Sequence, residues 1–392
     1  MTTQQLDRQY VEHTYNRFPL EIVGGKGSTV CGADGREYID LGSGIAVNIF
    51  GLCDEPWRQA VTQQLGKFQH TSNLYYSAPV AQLAQMLCQR TGMSKVFFSN
   101  SGVEANECAV KAARKWGCTR KGADYYNIIT LKKSFHGRSI AMLAATGQEH
   151  YHEQFQPLPG GFLYADTGDA EGLERLISEN PCAAIMIEVV QGEGGVTPIG
   201  QKFASQIAAL AEKYELLLIA DEVQIGNGRS GKLYGYMQYG LKPDLVTTAK
   251  GLGGGLPIGA TLFSERVQDV FSPGDHGSTF GGNAACCAGA VNILSRIDAP
   301  LLSGVDERSA YILSELTGAK GVKDVRGMGL MLGFEPEQPT RAFAETLLKN
   351  GVLVTTAKQM IRLLPALNIP MEQLKTAVQI IKRCAAEYGG QL

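Results

Sequence analysis

Apolar residues along this chain fall into two patterns. Short unbroken runs occur at Val96–Phe98, Asn127–Leu131, Ala183–Val190, Leu216–Ala220, Leu245–Thr247 and Ala260–Phe263. Between them lie longer stretches, such as Glu104–Trp116 and Gln201–Tyr214, whose apolar positions repeat at helical spacing. Unbroken apolar runs suit strands covered on both faces, and the intervening helices supply the covers. The pattern predicts an α/β fold: a large domain over residues 51–295, built on a mostly parallel, doubly covered sheet. Residues 1–50 are shorter in texture, with Gly27–Cys31, a turn at Asp34-Gly35 and Glu37–Leu41 reading as a hairpin. Residues 296–392 give an α+β set: a helix, the run Val325–Gly333, a helix at 341–350, strands at Val352–Val354 and Ile361–Leu364, and a last helix at 371–388. The two chain ends are expected to form one smaller domain together.

In an open α/β sheet the ligand sits beyond the carboxyl ends of the strands. Polar residues follow nearly every apolar run here. Ser99-Asn-Ser-Gly102 follows the first, Ser134-Phe-His-Gly-Arg138 the second, and Glu188 then Gln191-Gly-Glu193 the third. Asp221-Glu-Val-Gln224 and Lys250-Gly-Leu-Gly-Gly-Gly255 follow the next two.

Each motif has a plain and a chemical reading. Ser101-Gly-Val-Glu104 is a capping box, and a helix start of this kind also offers free N–H groups to an anion. Asp221 closes an apolar strand, where a carboxylate is costly unless it meets a cation or several donors. A salt bridge would satisfy it, and so would a protonated ring nitrogen. Lysine is ordinarily a surface residue, but a confined lysine such as Lys250 can lose its proton and attack a carbonyl to give a Schiff base. Gly226-Asn-Gly-Arg-Ser-Gly231 matches the dinucleotide pattern G-x-G-x-x-G, yet the Lys232–Gly240 stretch after it is aromatic and broken by glycine rather than an apolar helix. His150 and His152 sit in a polar stretch, and no metal site is expected.

Composition narrows the partners. The 392 residues include 36 Lys and Arg against 38 Asp and Glu, so no basic excess points to nucleic acid. No apolar run approaches the ~20 residues that span a bilayer, and the polar N-terminus has no leader-like pattern. Nine cysteines, an odd number without a C-x-x-C pair, suit a reducing compartment. A cytoplasmic location is expected.

Acid at one strand end, lysine at the next and a Ser-Gly helix start upstream together resemble a fold-type I pyridoxal-phosphate enzyme. The finer motifs resemble the class III aminotransferases, in their acetylornithine/succinylornithine branch: Asn100-Ser-Gly-Val-Glu-Ala-Asn-Glu107, Ser134-Phe-His-Gly-Arg138, Gln191-Gly-Glu-Gly194, Asp221-Glu-Val-Gln-Ile-Gly-Asn-Gly-Arg229, Lys250-Gly-Leu-Gly-Gly-Gly-Leu-Pro-Ile-Gly259 and Gly277-Ser-Thr-Phe-Gly-Gly-Asn283. The likeness runs from about Phe18 to Arg362.

The resemblance implies pyridoxal 5′-phosphate as cofactor, with Lys250 as its Schiff-base lysine and proton shuttle and Asp221 paired to its ring nitrogen. Phe135 would stack on the ring and Gln224 would bond its phenolic oxygen. Ser101, Gly102 and Val103 would cradle the phosphate, and His136 and Glu188 would complete the cofactor site. Thr279 would reach the phosphate of a partner subunit, implying a homodimer. Arg138, Glu193, Arg362 and Ser278 would bind substrate: Arg138 the distal carboxylate of an acylated ornithine, Arg362 the α-carboxylate of 2-oxoglutarate, with Glu193 neutralising Arg362 in the other half-reaction. The implied reaction converts N-acetylornithine and 2-oxoglutarate to N-acetylglutamate 5-semialdehyde and glutamate, in arginine biosynthesis. Succinylornithine, N-succinyl-diaminopimelate, ornithine and 4-aminobutyrate are alternative donors, and a nicotinamide dehydrogenase is a remote one in another class. Departures from the family pattern occur at Gly51-Leu-Cys-Asp-Glu-Pro56, Ile225 and Ser230. Ile45 and Arg17 stand where ornithine aminotransferases carry substrate-binding tyrosines, which favours an acylated donor.

Overall fold

The structure is a computed structural model that describes residues 1–388. Its centre is a seven-stranded sheet. In chain order the strands are β1 (Lys95–Ser99), β2 (Asn127–Leu131), β3 (Phe162–Ala165), β4 (Cys182–Ile187), β5 (Leu217–Asp221), β6 (Leu245–Thr248) and β7 (Gly259–Phe263). In space they lie in the order β1-β7-β6-β5-β4-β2-β3. Every residue of β4, β5, β6 and β7 is buried, as the unbroken apolar runs require.

Alternation along the strands sends side chains to two separate layers. Leu217 and Ile219 pack with Cys108, Ala109, Ala112 and Trp116 of the helix Gly102–Arg120. Leu218 and Ala220 face the other way, among Phe203, Ala204 and Ile207 of the helix Gln201–Lys213.

Neighbours from β6 to β3 run parallel, but β7 is antiparallel to both β6 and β1. The reason is the connection. Residues 249–258 link β6 to β7 without a crossover helix, and parallel neighbours need roughly a dozen residues or more to cross over. The short link carries Lys250.

The expected N-terminal hairpin is present, with Thr29–Gly32 antiparallel to Glu37–Asp40. Ile22–Lys26 adds on one side, and Val352–Leu353, from the other end of the chain, pairs in parallel with Glu37–Asp40 on the other. The run Val325–Gly333 is not one strand. It splits into a hairpin, Val322–Met328 and Met331–Pro336, because Gly327 and Gly329 take φ values of 138° and 54° and turn the chain. Met360–Leu363 joins that hairpin, bringing Arg362 opposite Gly333. Among the described residues no single helix is long and apolar enough to cross a membrane.

Candidate active site

A cavity of about 480 Å³ opens beyond the carboxyl ends of β1, β2, β4, β5 and β6. Asn100 to Val103, Phe135 to Arg138, Glu188, Asp221, Gln224 and Lys250 all line it. Val47, Val223 and Ile258 add apolar walls.

Asp221 is buried at the end of β5 and is held by its neighbours. Its Oδ1 accepts from the Val223 N–H (3.1 Å), and Oδ2 accepts from Asn106 Nδ2 and from His136 Nδ1, both at 2.8 Å. The carboxylate partner places the imidazole proton on Nδ1 and leaves Nε2, buried at the cavity wall, without a protein partner. Asn106 belongs to the Asn100–Glu107 motif, but the sequence alone assigns it no role. It sits inside the helix Gly102–Arg120, donates also to the His136 carbonyl (2.8 Å) and accepts from Thr247 Oγ1 (2.6 Å), so it joins the ends of three elements. Its only trace in the sequence is an amide inside the motif Asn100–Glu107, beside a face of alanines.

Lys250 follows β6 with φ at 44°, the left-handed region that non-glycine residues avoid and that concentrates at functional sites. Burial pulls its amine pKa below the ordinary lysine value, against the charges of Asp221, Glu193 and Glu188, while Arg362 adds to the lowering. Glu188 goes the opposite way. Burial and the nearby Asp221 raise its pKa well above the carboxylate range, although its Oε2 accepts from the Phe135 N–H at 2.8 Å.

The helix Gly102–Arg120 starts at the cavity. Ser101 Oγ accepts from the Glu104 N–H (3.3 Å), and the Glu104 carboxylate reaches back one residue further than a simple capping box, accepting from the Asn100 N–H at 2.7 Å. Ala105 makes the first helical bond to the Ser101 carbonyl, so the N–H groups of Gly102 and Val103 are left for an anion. A Cβ on Gly102 would lie 2.5 Å from Val223 Cγ1, so only glycine lets the loop close on this wall.

Arg362 lies behind Gln224, almost fully buried. Its Nη1 donates to Glu193 Oε1 (2.6 Å) and Gln224 Oε1 (3.0 Å), and its Nε to Thr355 Oγ1 (3.2 Å). Gln224, expected to face the cofactor, therefore bridges the cavity and Arg362. Arg138 is exposed at the mouth, its guanidinium 4.8 Å from the Tyr151 ring centroid and 5.4 Å from that of Phe135.

Four expected residues do not line the cavity: Glu193 and Arg362 pair with each other beside Gln224, and Ser278 and Thr279 lie elsewhere. Ser278 does not line the cavity: its Oγ accepts from Asn100 Nδ2 (3.1 Å) and the Gly281 N–H (2.9 Å), supporting the Ser-Gly loop from behind. Thr279 is exposed and also outside the cavity. Gly226–Gly231 opens no helix, and the dinucleotide alternative loses its helix N-terminus. The departure at Gly51–Pro56 forms a helix start, with Asp54 capping Trp57 N (3.1 Å) and pairing with Arg296. Arg17 pairs with Asp7 (3.1 Å), away from the cavity. Ile45 sits in a one-turn left-handed segment, Ser43–Ala46, where all four residues have positive φ.

The aminotransferase class-III family model matches residues 10–385. The chain belongs to that family. This aminotransferase is 43% identical over 386 residues to the acetylornithine aminotransferase of Haemophilus ducreyi, covering 98% of both chains. It is 41% identical to the acetylornithine aminotransferase of Caldanaerobacter subterraneus, covering 97% of this chain and 98% of that one. Among solved structures, the N-acetylornithine aminotransferase of Stenotrophomonas maltophilia superposes with a TM-score of 0.86 at 32% identity, over 99% of this chain and all of that one. The ornithine aminotransferase of Toxoplasma gondii superposes at 0.95 with 29% identity, over 100% of this chain and 97% of that one. The fold is that of the fold-type I pyridoxal-phosphate enzymes. Class III aminotransferases use pyridoxal 5′-phosphate. The cavity fits that cofactor: an anion seat at Gly102 and Val103, a buried carboxylate at Asp221, an unpartnered His136 Nε2 and a lysine whose burial favours the free amine.

Proposed function

We propose that this enzyme transfers the ω-amino group of N-acetylornithine to 2-oxoglutarate in a ping-pong reaction, giving N-acetylglutamate 5-semialdehyde and glutamate, as a step of arginine biosynthesis. The observation that carries the substrate reading is the Arg362–Glu193 ion pair beside the Lys250 cavity. A donor that reacts through its ω-amine brings no carboxylate to that position, and Glu193 keeps Arg362 neutralised while it is bound. When 2-oxoglutarate enters, its α-carboxylate replaces Glu193 on the guanidinium fork. Arg138, at the mouth, takes the distal carboxylate of the donor. The acetylornithine aminotransferase relatives support this choice of donor.

The bound cofactor supplies an electron-withdrawing ring for the electrons released at the substrate carbon. Asp221 holds a proton on the ring nitrogen by charge attraction, and Asn106 and His136 fix that carboxylate. Lys250 Nζ would hold the cofactor covalently and, once the substrate amine has displaced it, would act as the base that takes the proton from the amine-bearing substrate carbon and delivers it to the cofactor carbon. Phe135 and Val223 close the apolar walls around the ring, and Gly102 and Val103 hold the phosphate.

The two chain ends, 1–50 and 296–392, form the small domain of this reading, with 51–295 as the cofactor domain. The enzyme works as a homodimer with Thr279 reaching the partner's phosphate. Leu74, Tyr75, Tyr76 and Phe280, exposed around the Ser278–Asn73 contact, support a partner covering this face. All nine cysteines are free, which suits the reducing cytoplasm.

The test is the visible spectrum of the purified protein titrated with N-acetylornithine. Loss of the yellow band with growth of a shorter-wavelength one is the expected result. A band unmoved by N-acetylornithine but moved by succinylornithine, ornithine or 4-aminobutyrate would reassign the donor.

A further inference from the structure

The Gly226–Gly231 loop takes no part in lining the cavity, yet it buries an arginine under unusual conditions. Arg229 is fully buried and, among the described residues, forms no ion pair. Burial lowers its pKa to about 9. Its Nη1 donates to the Leu330 and Pro365 carbonyls, both at 2.9 Å, while Nε and Nη2 find no partner. A buried charge without a counter-ion is strongly unfavourable, so the two carbonyl bonds do not explain it as a stabilising device.

The location of those carbonyls gives a better account. Leu330 is the tip of the hairpin Val322–Met328/Met331–Pro336, and its N–H returns a bond to the Arg229 carbonyl at 2.8 Å. Pro365 lies just past the strand Met360–Leu363, which carries Arg362 and pairs with that hairpin. The loop approaches closely: a Cβ on Gly329 would collide with the Arg229 carbonyl, and one on Gly228 would lie 2.9 Å from Leu367. The same segment, residues 221–231, also carries Gln224, which touches the Arg362 guanidinium. One loop thus holds Arg362 at its head, through Gln224, and at the end of its strand, through Arg229.

We propose that Arg229 is a positioning residue that tethers the Arg362 strand to the loop after β5, setting where Arg362 meets Glu193 and an incoming α-carboxylate. This rests on the reading of Arg362 as the 2-oxoglutarate site. An apolar residue of similar length would fill the space but leave the Leu330 and Pro365 carbonyls unbonded and the strand free to shift, and small displacements of a binding group cost large factors in rate.

The experiment compares single-turnover half-reactions of the holoenzyme, with N-acetylornithine and separately with 2-oxoglutarate, for wild type, Arg229→Gln, Arg229→Lys, Gly329→Ala and Arg362→Lys. Arg229→Gln is expected to weaken 2-oxoglutarate binding about tenfold while the N-acetylornithine half-reaction stays within about twofold, with Arg229→Lys recovering part of the loss. Gly329→Ala disturbs the same seat from the other side and is expected to show the same selectivity, so the test survives if Arg229→Gln does not fold. If Arg362→Lys weakens both half-reactions equally, the assignment of Arg362 is at fault. If Arg362→Lys is selective for 2-oxoglutarate, and folded Arg229→Gln or Gly329→Ala leaves both half-reactions unchanged or slows them alike, the tether is overturned.

Discussion

Arg362 Nη1 lies 2.6 Å from Glu193 Oε1, and the guanidinium is almost wholly buried while the carboxylate is only partly so. The asymmetry gives the pair a direction. Glu193 keeps an exposed side, whereas Arg362 is also bonded to Thr355 and Gln224. Replacing Glu193 by Gln leaves Arg362 charged and unpaired. Half-reaction titrations should then show 2-oxoglutarate or glutamate binding tighter, and N-acetylornithine reacting about tenfold or more slowly because the guanidinium beside it is left without a counter-charge. Equal effects on both substrates would remove the gating role from Glu193.

Lys250→Ala should lower turnover by about 10²–10⁴-fold through loss of the base alone, and by more if covalent attachment also matters. Mass spectrometry after borohydride reduction provides a separate readout. The wild-type protein should gain the mass of the cofactor, with the label on Lys250, and the variant should not.

Asn106→Ala would leave Asp221 Oδ2, the His136 carbonyl and Thr247 Oγ1 each short of a partner inside the protein. Losing partners for buried polar groups costs about 1–3 kcal/mol each in such settings, so denaturant melts should show a loss of at least about 2 kcal/mol. Activity should fall as well, because Asp221 loses a donor that orients it.

Glu222, next to Asp221, is fully buried, and burial raises its pKa to about 8 even though its carboxylate accepts from the Gly235 and Tyr236 N–H groups, both at 2.7 Å. The folded state then holds this proton between pH 4.5, the unfolded value, and about 8, while the unfolded state has released it. Stability from this group is therefore complete below pH 4.5 and is lost as pH rises toward 8, at about 1.4 kcal/mol per pH unit. Melts of Glu222→Gln across that range should lose this downward slope, and an unchanged slope would show that Glu222 does not titrate there.

Ile45 occupies the left-handed region, at φ 62° and ψ 58°, and is 44% exposed, so little packing compensates the conformation. Ile45→Gly should relieve about 1 kcal/mol of strain, visible as a raised melting temperature. A lowered one would mean that the isoleucine makes a contact worth more than its strain.

Much of the site was legible because the chemistry needed groups at strand ends. Asp221 closes β5 and Lys250 stands just past β6, while Arg138 and Glu193 come a few residues after β2 and β4. Less legible were groups whose partners come from distant elements. Nothing local to Asn106 says that it meets Asp221, and nothing near Gln224 says that it meets Arg362. The reversed direction of β7 was hidden because an apolar strand has the same texture in either orientation. Only the shortness of its link to β6 distinguishes the two. The hairpin hidden within Val325–Gly333 was marked by two glycines, but apolar residues around them masked the turn.

The parallel pairing of Glu37–Asp40 with Val352–Leu353 also orders events during synthesis. Chains emerge from the ribosome amino end first, so the first strands are made long before the strand that covers their edge. The central sheet draws on contiguous sequence and can assemble meanwhile, whereas the early hairpin waits with one edge bare, open to pairing with another chain. A polypeptide cut short before Val352 keeps the whole central sheet and Lys250 yet never covers that edge, so truncated products of this gene should be sticky rather than merely inactive.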